Sequence, residues 1–251
     1  METAHQLVDL QDTLYSSANP TRRWLHCIRR DWIISAMQRY QAAEARKALE
    51  IGPGSGIYLP ELANLYRQVY ASDIEMAYLE NACQRLQHLH NLNVRTDDIT
   101  ASQLPVGSFD FILCTEVIEH IEDSQRALEQ MWRLLRPGGV LLLSTPQRYS
   151  PLEQTAKIAF LPGVIQLVRM IYTEPVMETG HINLLTDVEL RQQIDNAGFS
   201  VAESHKSGFY IPLVAEFLGK SGLKLEQLLE RKINGGRLDW LLWTQYFVLR
   251  K

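Results

Sequence analysis

The stretch Ala48-Leu49-Glu50-Ile51-Gly52-Pro53-Gly54-Ser55-Gly56 decides the fold of this chain. Its first four residues have the largely apolar composition of a short β-strand. The alternate glycines Gly52, Gly54 and Gly56 then allow a turn to pass close to a ligand without side chains in between. A helix that begins at about Ile57 would direct its N-terminal amides toward the same crevice.

A second apolar run, Val69 to Ser72, ends at Asp73. The spacing between the two runs matches one strand–helix–strand unit, whose second strand ends in a carboxylate able to bind both hydroxyls of a ribose. The two runs therefore predict a nucleotide-binding crevice in an α/β fold with a parallel sheet.

The glycine spacing separates two classes of nucleotide site. A dinucleotide site normally has G-x-G-x-x-G, but this chain has G-x-G-x-G, with Ile57 where the other pattern needs glycine. The acidic Glu50 lies beside the loop, where its charge would oppose a pyrophosphate and attract a cation. The loop therefore favours a cationic ligand.

Further segments in the same order strengthen this interpretation. With the acid-x-G-x-G-x-G motif, the region from about 47 to 146 resembles the class I S-adenosylmethionine-dependent methyltransferases, in particular type 11 and quinol O-methylating members. The segments that carry the resemblance are Ser72-Asp73-Ile74, Asp97-Asp98-Ile99, the run from Phe109 to His120, and Leu134-Leu135-Arg136-Pro137-Gly138-Gly139.

The resemblance implies a Rossmann-like three-layer α/β sandwich. Its seven-stranded sheet would be mostly parallel with the last strand antiparallel. We expect one methyltransferase domain over 1–251, with a helical segment at 1–46, a cofactor-binding core at 47–146, and substrate-side insertions at 147–180 and 206–240. The cofactor implied is S-adenosyl-L-methionine. The residues implied to bind it are Glu50, Gly52, Gly54, Gly56, Asp73, Ile74, Asp98, Ile99, Cys114, Thr115 and Glu116.

The N-terminal segment has a helical pattern from Thr21 in which apolar residues recur every four positions. Trp24, Ile28, Trp32 and Ala36 form this stripe. Two interpretations of the arginines on this helix are open: they solvate one face, or one of them reaches the carboxylate of the cofactor. The arginines are Arg22, Arg23, Arg29 and Arg30.

Two histidines are candidates for a catalytic base, since their pKa lies near neutrality. His120 follows Glu119 just beyond the predicted fourth strand, and His181 lies beyond the first insertion. The alternative for each is a structural hydrogen-bonding role. Carboxylates suited to a metal ion are not clustered in the sequence, so we expect a metal-independent enzyme.

The insertion at 147–180 is rich in apolar residues, from Ile158 to Ile171. Three interpretations are open. It forms a lid over an acceptor with apolar bulk, it completes the core, or it forms an amphipathic helix that contacts a membrane with help from Lys157 and Arg169.

Composition excludes several classes of function. A net charge of -4 and a pI near 6.0 provide no basic field for nucleic acid. No signal sequence or bilayer-spanning stretch is visible, and the three cysteines lack metal-binding spacing. We therefore expect a cytoplasmic protein, and the sequence leaves its oligomeric state open.

The sequence predicts transfer of a methyl group to a small molecule, with an oxygen acceptor favoured and nitrogen or carbon left open. A non-catalytic scaffold is the alternative from another class, and the intact glycine loop, Asp73 and Asp98 disfavour it. An NAD-dependent oxidoreductase is disfavoured by Ile57, by Glu50, and by the lack of a Tyr-x-x-x-Lys pair.

Overall fold

The computed structural model describes residues 13–41, 46–161, 163–166 and 180–251. Several residues of the predicted lid, including Val168, Met170 and Ile171, and the predicted membrane contact Arg169 lie outside the described residues. Within the described part of the chain, no helix combines the length and the apolar composition needed to cross a membrane.

The described residues form one seven-stranded sheet with the strand order β3-β2-β1-β4-β5-β7-β6. Strands β1 to β5 pair in parallel, and β7 runs antiparallel to both β5 and β6. The predicted mostly parallel sheet with an antiparallel last strand is therefore confirmed. The strands are β1 Lys47–Ile51, β2 Gln68–Asp73, β3 Leu92–Thr96, β4 Phe109–Thr115, β5 Leu135–Pro146, β6 Ser200–Ser207 and β7 Thr244–Arg250.

Helices cover both faces of the sheet. The helices are α1 Pro20–Tyr40, α2 Leu59–Leu65, α3 Met76–Arg85, α4 Ser124–Leu134, α5 Pro151–Ala159, α6 Asp187–Asn196, α7 Val214–Phe217 and α8 Gly219–Ile233. One core cluster joins the sheet to α4 and α6, and a second joins the opposite face to α1, α2 and α3. Strand β4 is buried on both sides, as its nearly continuous apolar run predicts. The three layers are therefore as expected.

Two helices near the site begin at capping residues that also have the usual sequence pattern of a helix start. The Asp123 carboxylate accepts from the backbone N–H of Arg126 at 2.9 Å and caps α4. Thr186 and Glu189 form a reciprocal capping box at the start of α6. These capping residues therefore fix where helices α4 and α6 begin.

Some boundaries differ from the prediction. Helix α2 begins at Leu59 rather than at Ile57. The predicted apolar stripe of α1 is displaced by one position at Trp24, Ile28 and Trp32, whereas Ala36 is buried as predicted. The face that packs on the protein instead contains Leu25, Arg29, Ile33, Ala36 and Met37. The buried face includes a charged residue, Arg29, which interrupts its apolar periodicity. The apolar pattern in the sequence therefore predicts the adjacent face of the helix instead.

The 206–240 segment packs against the N-terminal helix. The Thr21 hydroxyl in α1 donates to the buried Glu226 carboxylate in α8 at 2.5 Å. Glu230, one turn later, accepts from the backbone N–H groups of Gly208 and Phe209 at 3.0 and 2.9 Å. These contacts hold α1 and α8 together beside the carboxyl end of β6.

Candidate active site

The glycine loop lies between β1 and α2, at the carboxyl edge of the sheet. Gly52, Gly54 and Gly56 all have positive φ angles, +65°, +52° and +74°. The N–H of Gly52 donates to the carbonyl of Ser72 at 2.8 Å, which ties the loop to β2. A Cβ atom on Gly52 would lie 2.4 Å from Cγ2 of Val117, so this position requires glycine both for its backbone angles and for space.

Glu50 lies near the end of β1 and is 1% exposed. Its Oε2 atom has no hydrogen-bond partner among the described residues. Burial raises the pKa of Glu50 to about 8. A buried carboxylate without a partner is costly, and a cation is the group that would remove the cost. The residue therefore fits a ligand with a positive charge, as S-adenosylmethionine has on both its sulfonium and its ammonium group.

Asp73 ends β2, in the adjacent position of the sheet. One of its oxygens accepts from the backbone N–H of Glu75 at 2.9 Å, and partial burial raises its pKa. Ile74, the next residue, is 68% exposed and so is available to a ligand. The predicted ribose-binding role of Asp73 agrees with this position and stays a prediction.

Asp98 and Ile99 follow β3. Oδ1 of Asp98 accepts from both the backbone N–H and the hydroxyl of Thr100 at 2.8 Å, and Ile99 is buried. The neighbouring Asp97 accepts from the N–H of Gln103 at 2.9 Å and so stabilises the turn. The predicted contacts of Asp98 and Ile99 with an adenine ring stay predictions.

Strand β4 delivers Cys114, Thr115 and Glu116 to the same edge. The Cys114 side chain is fully buried in the apolar cluster under α4, and burial raises the pKa of its thiol. Thr115 ends the strand and is half-buried. Glu116 has a φ of +55°, an uncommon angle for a residue with a side chain. Such strain is often stored at functional sites.

The Glu116 carboxylate is held on both oxygens. One oxygen accepts from the hydroxyl of Ser144 at 2.9 Å, and the other pairs with the Arg29 guanidinium at 2.5 Å. Burial alone would lower the pKa of Arg29, but the Glu116 carboxylate raises it above its usual range. The expectation of a solvated face is therefore wrong for Arg29, which is 8% exposed and joins the N-terminal helix to the site.

The two predicted histidines are brought together by main-chain hydrogen bonds. The carbonyl of Glu119 accepts from the N–H groups of Ile182 at 3.0 Å and Asn183 at 2.9 Å. This pins the segment after the first insertion against the 3₁₀ turn Ile118–His120. As a result, the rings of His120 and His181 lie with their centroids 5.2 Å apart.

Each histidine makes its hydrogen bond through Nδ1. His120 contacts the carbonyl oxygen of Gly180 at 3.2 Å, and His181 contacts Oε2 of Glu153 at 3.1 Å. Because a carbonyl or carboxylate oxygen accepts, each Nδ1 atom donates, and in the neutral form of each ring Nε2 keeps the lone pair. Partial burial, together with the nearby His181, lowers the pKa of His120 and keeps its ring neutral near pH 7.

Glu153 and Trp243 support this pair, and the sequence analysis did not identify either. Glu153 lies in α5 and is 4% exposed, and its second oxygen accepts from Nε1 of Trp243 at 2.9 Å. Trp243 also contacts the Arg29 guanidinium, 5.2 Å from the ring centroid. Neither residue stands in a recognisable motif, so the sequence offers no signal for them.

Glu119 lies beside the two histidines, and these three residues could hold a metal ion. One ligand atom from each of Glu119, His120 and His181 lies within 4.8 Å of the others. The sequence analysis considered carboxylates alone and did not foresee this group, because folding joins segments that are distant along the chain. The expected metal independence itself stays a prediction.

Several known proteins that this chain resembles are methyltransferases. The chain matches the methyltransferase domain family over residues 22–204. It is 28% identical over 232 residues to a ubiquinone biosynthesis O-methyltransferase of Aeromonas salmonicida, a match that covers 85% of this chain and 91% of that protein. It is 29% identical over 159 residues to a probable S-adenosylmethionine-dependent methyltransferase of Mycolicibacterium smegmatis, covering 63% of this chain and 54% of that protein.

A solved structure with a similar fold is the N-methyltransferase NodS of Bradyrhizobium japonicum in complex with S-adenosyl-L-homocysteine. It has a TM-score of 0.58 and 16% identity, and the match covers 100% of this chain and 97% of that one. The chain therefore belongs to the methyltransferase domain family, as a class I enzyme that uses S-adenosyl-L-methionine.

Proposed function

We propose that this enzyme methylates an oxygen atom on a small molecule with aromatic or lipid-like bulk. The observation that carries the proposal is the pair His120 and His181, whose rings lie 5.2 Å apart just beyond the carboxyl end of β4 and make their hydrogen bonds through Nδ1. A hydroxyl acceptor gains from such groups because it must lose a proton, whereas a neutral amine needs little help.

The residues of the cofactor end have defined tasks in this proposal. The cofactor supplies a methyl group already activated on a sulfonium. The glycine loop gives it close access to the backbone, Glu50 faces its positive charge, and Asp73 binds its ribose hydroxyls. Positioning of the acceptor and exclusion of water then provide much of the rate enhancement.

An apolar groove supports an acceptor with bulk. Tyr149 and Gln154 line it from the first insertion, and Trp240 and Leu241 line it from the segment before β7, around a volume of about 610 Å³. Helix α5 contributes Gln154 to the groove and the preceding residue, Glu153, to the histidine pair. We propose that the substrate-side segments predicted at 147–180 and 206–240 meet the acceptor here.

The similarity to ubiquinone biosynthesis O-methyltransferases supports a phenol or quinol hydroxyl as the acceptor. Methylation of nitrogen or carbon is the second candidate within the same family. A single-domain architecture, a cytoplasmic location, the absence of a nucleic-acid substrate and peripheral contact with a membrane stay predictions.

Two measurements on the purified protein test the proposal. Calorimetric titration with S-adenosylmethionine, S-adenosylhomocysteine and NADH should show binding of the two adenosyl ligands alone. Methyl transfer from labelled cofactor should then be detected with alkylated catechols or hydroquinones, and not with amines of the same ring and tail. Transfer to the amines instead would contradict an oxygen acceptor. Absence of adenosyl binding in folded protein would favour the scaffold alternative.

A further inference from the structure

We propose that Glu153 and Trp243 hold His181 in the one neutral tautomer that can take a proton from the acceptor. Glu153 is then a positioning residue that acts through His181, and Trp243 acts through Glu153. The role in methyl transfer rests on the proposed function, but the tautomer itself can be measured without any transfer.

The two histidines of the pair have hydrogen-bond partners of different charge. Nδ1 of His181 lies 3.1 Å from Oε2 of Glu153, whereas Nδ1 of His120 lies 3.2 Å from the carbonyl oxygen of Gly180. A carbonyl group is neutral, but a carboxylate stabilises the imidazolium that forms when the ring takes a proton. His181 is therefore the member of the pair whose charged form has a negative partner in contact with it.

The contact between Glu153 and His181 is largely shielded from water. Glu153 is buried, and the side chain of His181 is 11% exposed. A charge-assisted hydrogen bond is stronger in such surroundings than on a wet surface. The guanidinium of Arg29 contacts Trp243 but forms its ion pair with Glu116, so it does not take the Glu153 carboxylate from His181.

Trp243 occupies the other oxygen of the carboxylate. Oε1 of Glu153 accepts from Nε1 of Trp243 at 2.9 Å, while Oε2 faces His181. The indole is buried and packs edge-on against the ring of His26, with 5.4 Å between the ring centroids. An indole N–H can donate a hydrogen bond but cannot accept one. Each oxygen of Glu153 therefore has its own donor.

This arrangement determines which nitrogen of His181 is available. A carboxylate has no hydrogen to donate, so the neutral ring carries its proton on Nδ1 and keeps its lone pair on Nε2. In the proposed reaction, the O–H bond of the acceptor breaks and its proton moves to Nε2. The oxygen bonds to the methyl carbon, and the electron pair of the carbon–sulfur bond stays on sulfur. The positive charge lost by sulfur is then on the imidazolium beside Glu153, which later releases the proton to water.

A glutamine at position 153 would reverse the tautomer. Its amide has one accepting oxygen and one donating NH₂ group. Because the indole of Trp243 can only donate, the amide oxygen turns toward Trp243 and the NH₂ group toward His181. Nδ1 must then accept, so the proton of the neutral ring moves to Nε2 and the lone pair needed for the reaction is lost.

Kinetics with an alkylated catechol test this reasoning. Glu153→Gln should lower kcat by about 10²–10⁴-fold, because the wrong tautomer removes the general base. KM for the catechol and the affinity for S-adenosylhomocysteine should stay close to the wild-type values. In Glu153→Gln/Trp243→Phe the amide can turn its oxygen back to His181. The double variant should therefore recover kcat by about tenfold or more over Glu153→Gln, a coupling usual within one hydrogen-bond network.

Long-range ¹H–¹⁵N spectra of protein labelled with ¹⁵N-histidine show directly which ring nitrogen carries the proton. The spectrum of His181→Ala identifies the His181 signal. We expect the proton on Nδ1 in the wild type, on Nε2 in Glu153→Gln, and on Nδ1 again in the double variant. The matched control is Glu203→Gln, whose carboxylate accepts from Arg39 and Tyr40 instead, and it should behave like the wild type.

Circular dichroism and binding of S-adenosylhomocysteine show whether each variant is folded. A proton on Nε2 of His181 in the wild type, or the same tautomer in wild type and folded Glu153→Gln, would overturn the inference and leave the oxygen acceptor intact. A further loss of kcat on adding Trp243→Phe would also overturn it, because packing alone would then explain both residues. The expected tautomers with an unchanged kcat in Glu153→Gln would support the positioning and contradict the proposed use of His181 as a base.

Discussion

The two ends of the crevice are built in different ways. The cofactor end consists of Glu50, the loop 52–56 and Asp73, which follow one another along β1 and β2, and its shape comes largely from the backbone. The acceptor end consists of Glu119, His120, Glu153 and His181, which come from three separate segments. The cofactor end is therefore fixed by local chain geometry, whereas the acceptor end depends on a few hydrogen bonds between distant segments.

This difference predicts that changes at the acceptor end affect the rate and leave cofactor binding intact. His120→Ala and His181→Ala should lower kcat by about 10²–10⁴-fold, the range usual for loss of acid–base groups. The affinity for S-adenosylhomocysteine should stay unchanged, because neither ring belongs to the glycine loop or to its neighbours. Steady-state kinetics and calorimetry on the same protein samples give both quantities.

His205→Ala is the matched control for these variants. His205 stacks on Trp32, with 5.5 Å between the ring centroids, away from the histidine pair. Its removal should leave kcat close to that of the wild type. A fall in cofactor affinity in His120→Ala or His181→Ala would show that the two ends are not separate.

The reverse effect is expected at the cofactor end. Asp73→Ala should weaken binding of S-adenosylhomocysteine by about 100-fold, since hydrogen bonds to a charged group contribute about 1.5–3 kcal/mol. Asp98→Ala should have a smaller effect, because Asp98 is expected to accept from the adenine amine alone, whereas Asp73 is expected to accept from both ribose hydroxyls. At saturating cofactor, kcat of both variants should approach the wild-type value. Normal binding by Asp73→Ala would show that the ribose assignment is wrong.

The same contrast explains what the sequence could predict. The strand order along the chain, the glycine loop and the caps at Asp123 and Thr186 are all encoded within short windows, and the structure has them where the patterns indicated. The helical stripe of α1 was misplaced because its buried face includes a charged residue, Arg29, which apolar periodicity excludes.

The arrangement of the residues at the acceptor end could not be predicted from sequence patterns. The proximity of His120 to His181 depends on two main-chain hydrogen bonds to the carbonyl of Glu119. Hydrogen bonds between main-chain groups do not depend on particular side chains, so they cannot be predicted from residue types. The pairing of Glu153 with His181 likewise joins a helix to a loop that no motif connects. The sequence indicated His120 and His181 as candidate bases, but it carried no signal for their proximity.

Glu50 gives a prediction about pH. Burial raises the pKa of this acid from 4.5 to about 8, so the folded protein holds a proton that the unfolded chain has lost. The free energy of unfolding is highest below about pH 4.5 on this account and falls as pH rises through 8. Between pH 6 and 8 the fall should be about 2 kcal/mol, from the usual linkage relation.

Urea unfolding of wild type and Glu50→Gln at each pH isolates this contribution, since other titrating groups cancel in the difference. Saturating S-adenosylmethionine should flatten the wild-type dependence, because its positive charge takes the place of the proton. An unchanged difference between the two proteins from pH 6 to 8 would show that Glu50 is already ionised and has a partner in the free enzyme.

The smallest expected effect concerns the contact that joins the two ends. Gly52 belongs to the cofactor loop, and a Cβ there would lie 2.4 Å from Val117, three residues before His120 in the chain. Gly107 has a similar φ, +61° against +65°, but open space around it. Gly52→Ala should therefore lower the free energy of unfolding by about 1 kcal/mol or more beyond Gly107→Ala, as overpacking usually does.

The double variant Gly52→Ala/Val117→Ala removes the methyl group that would clash. Relative to Val117→Ala alone, it should show only the cost of the left-handed backbone that both single glycine variants share. If it recovers kcat as well, the position of the 3₁₀ turn that carries His120 is set by the glycine loop. Equal losses in Gly52→Ala and Gly107→Ala would instead mean that Val117 moves aside freely, and that the two ends of the crevice adjust independently.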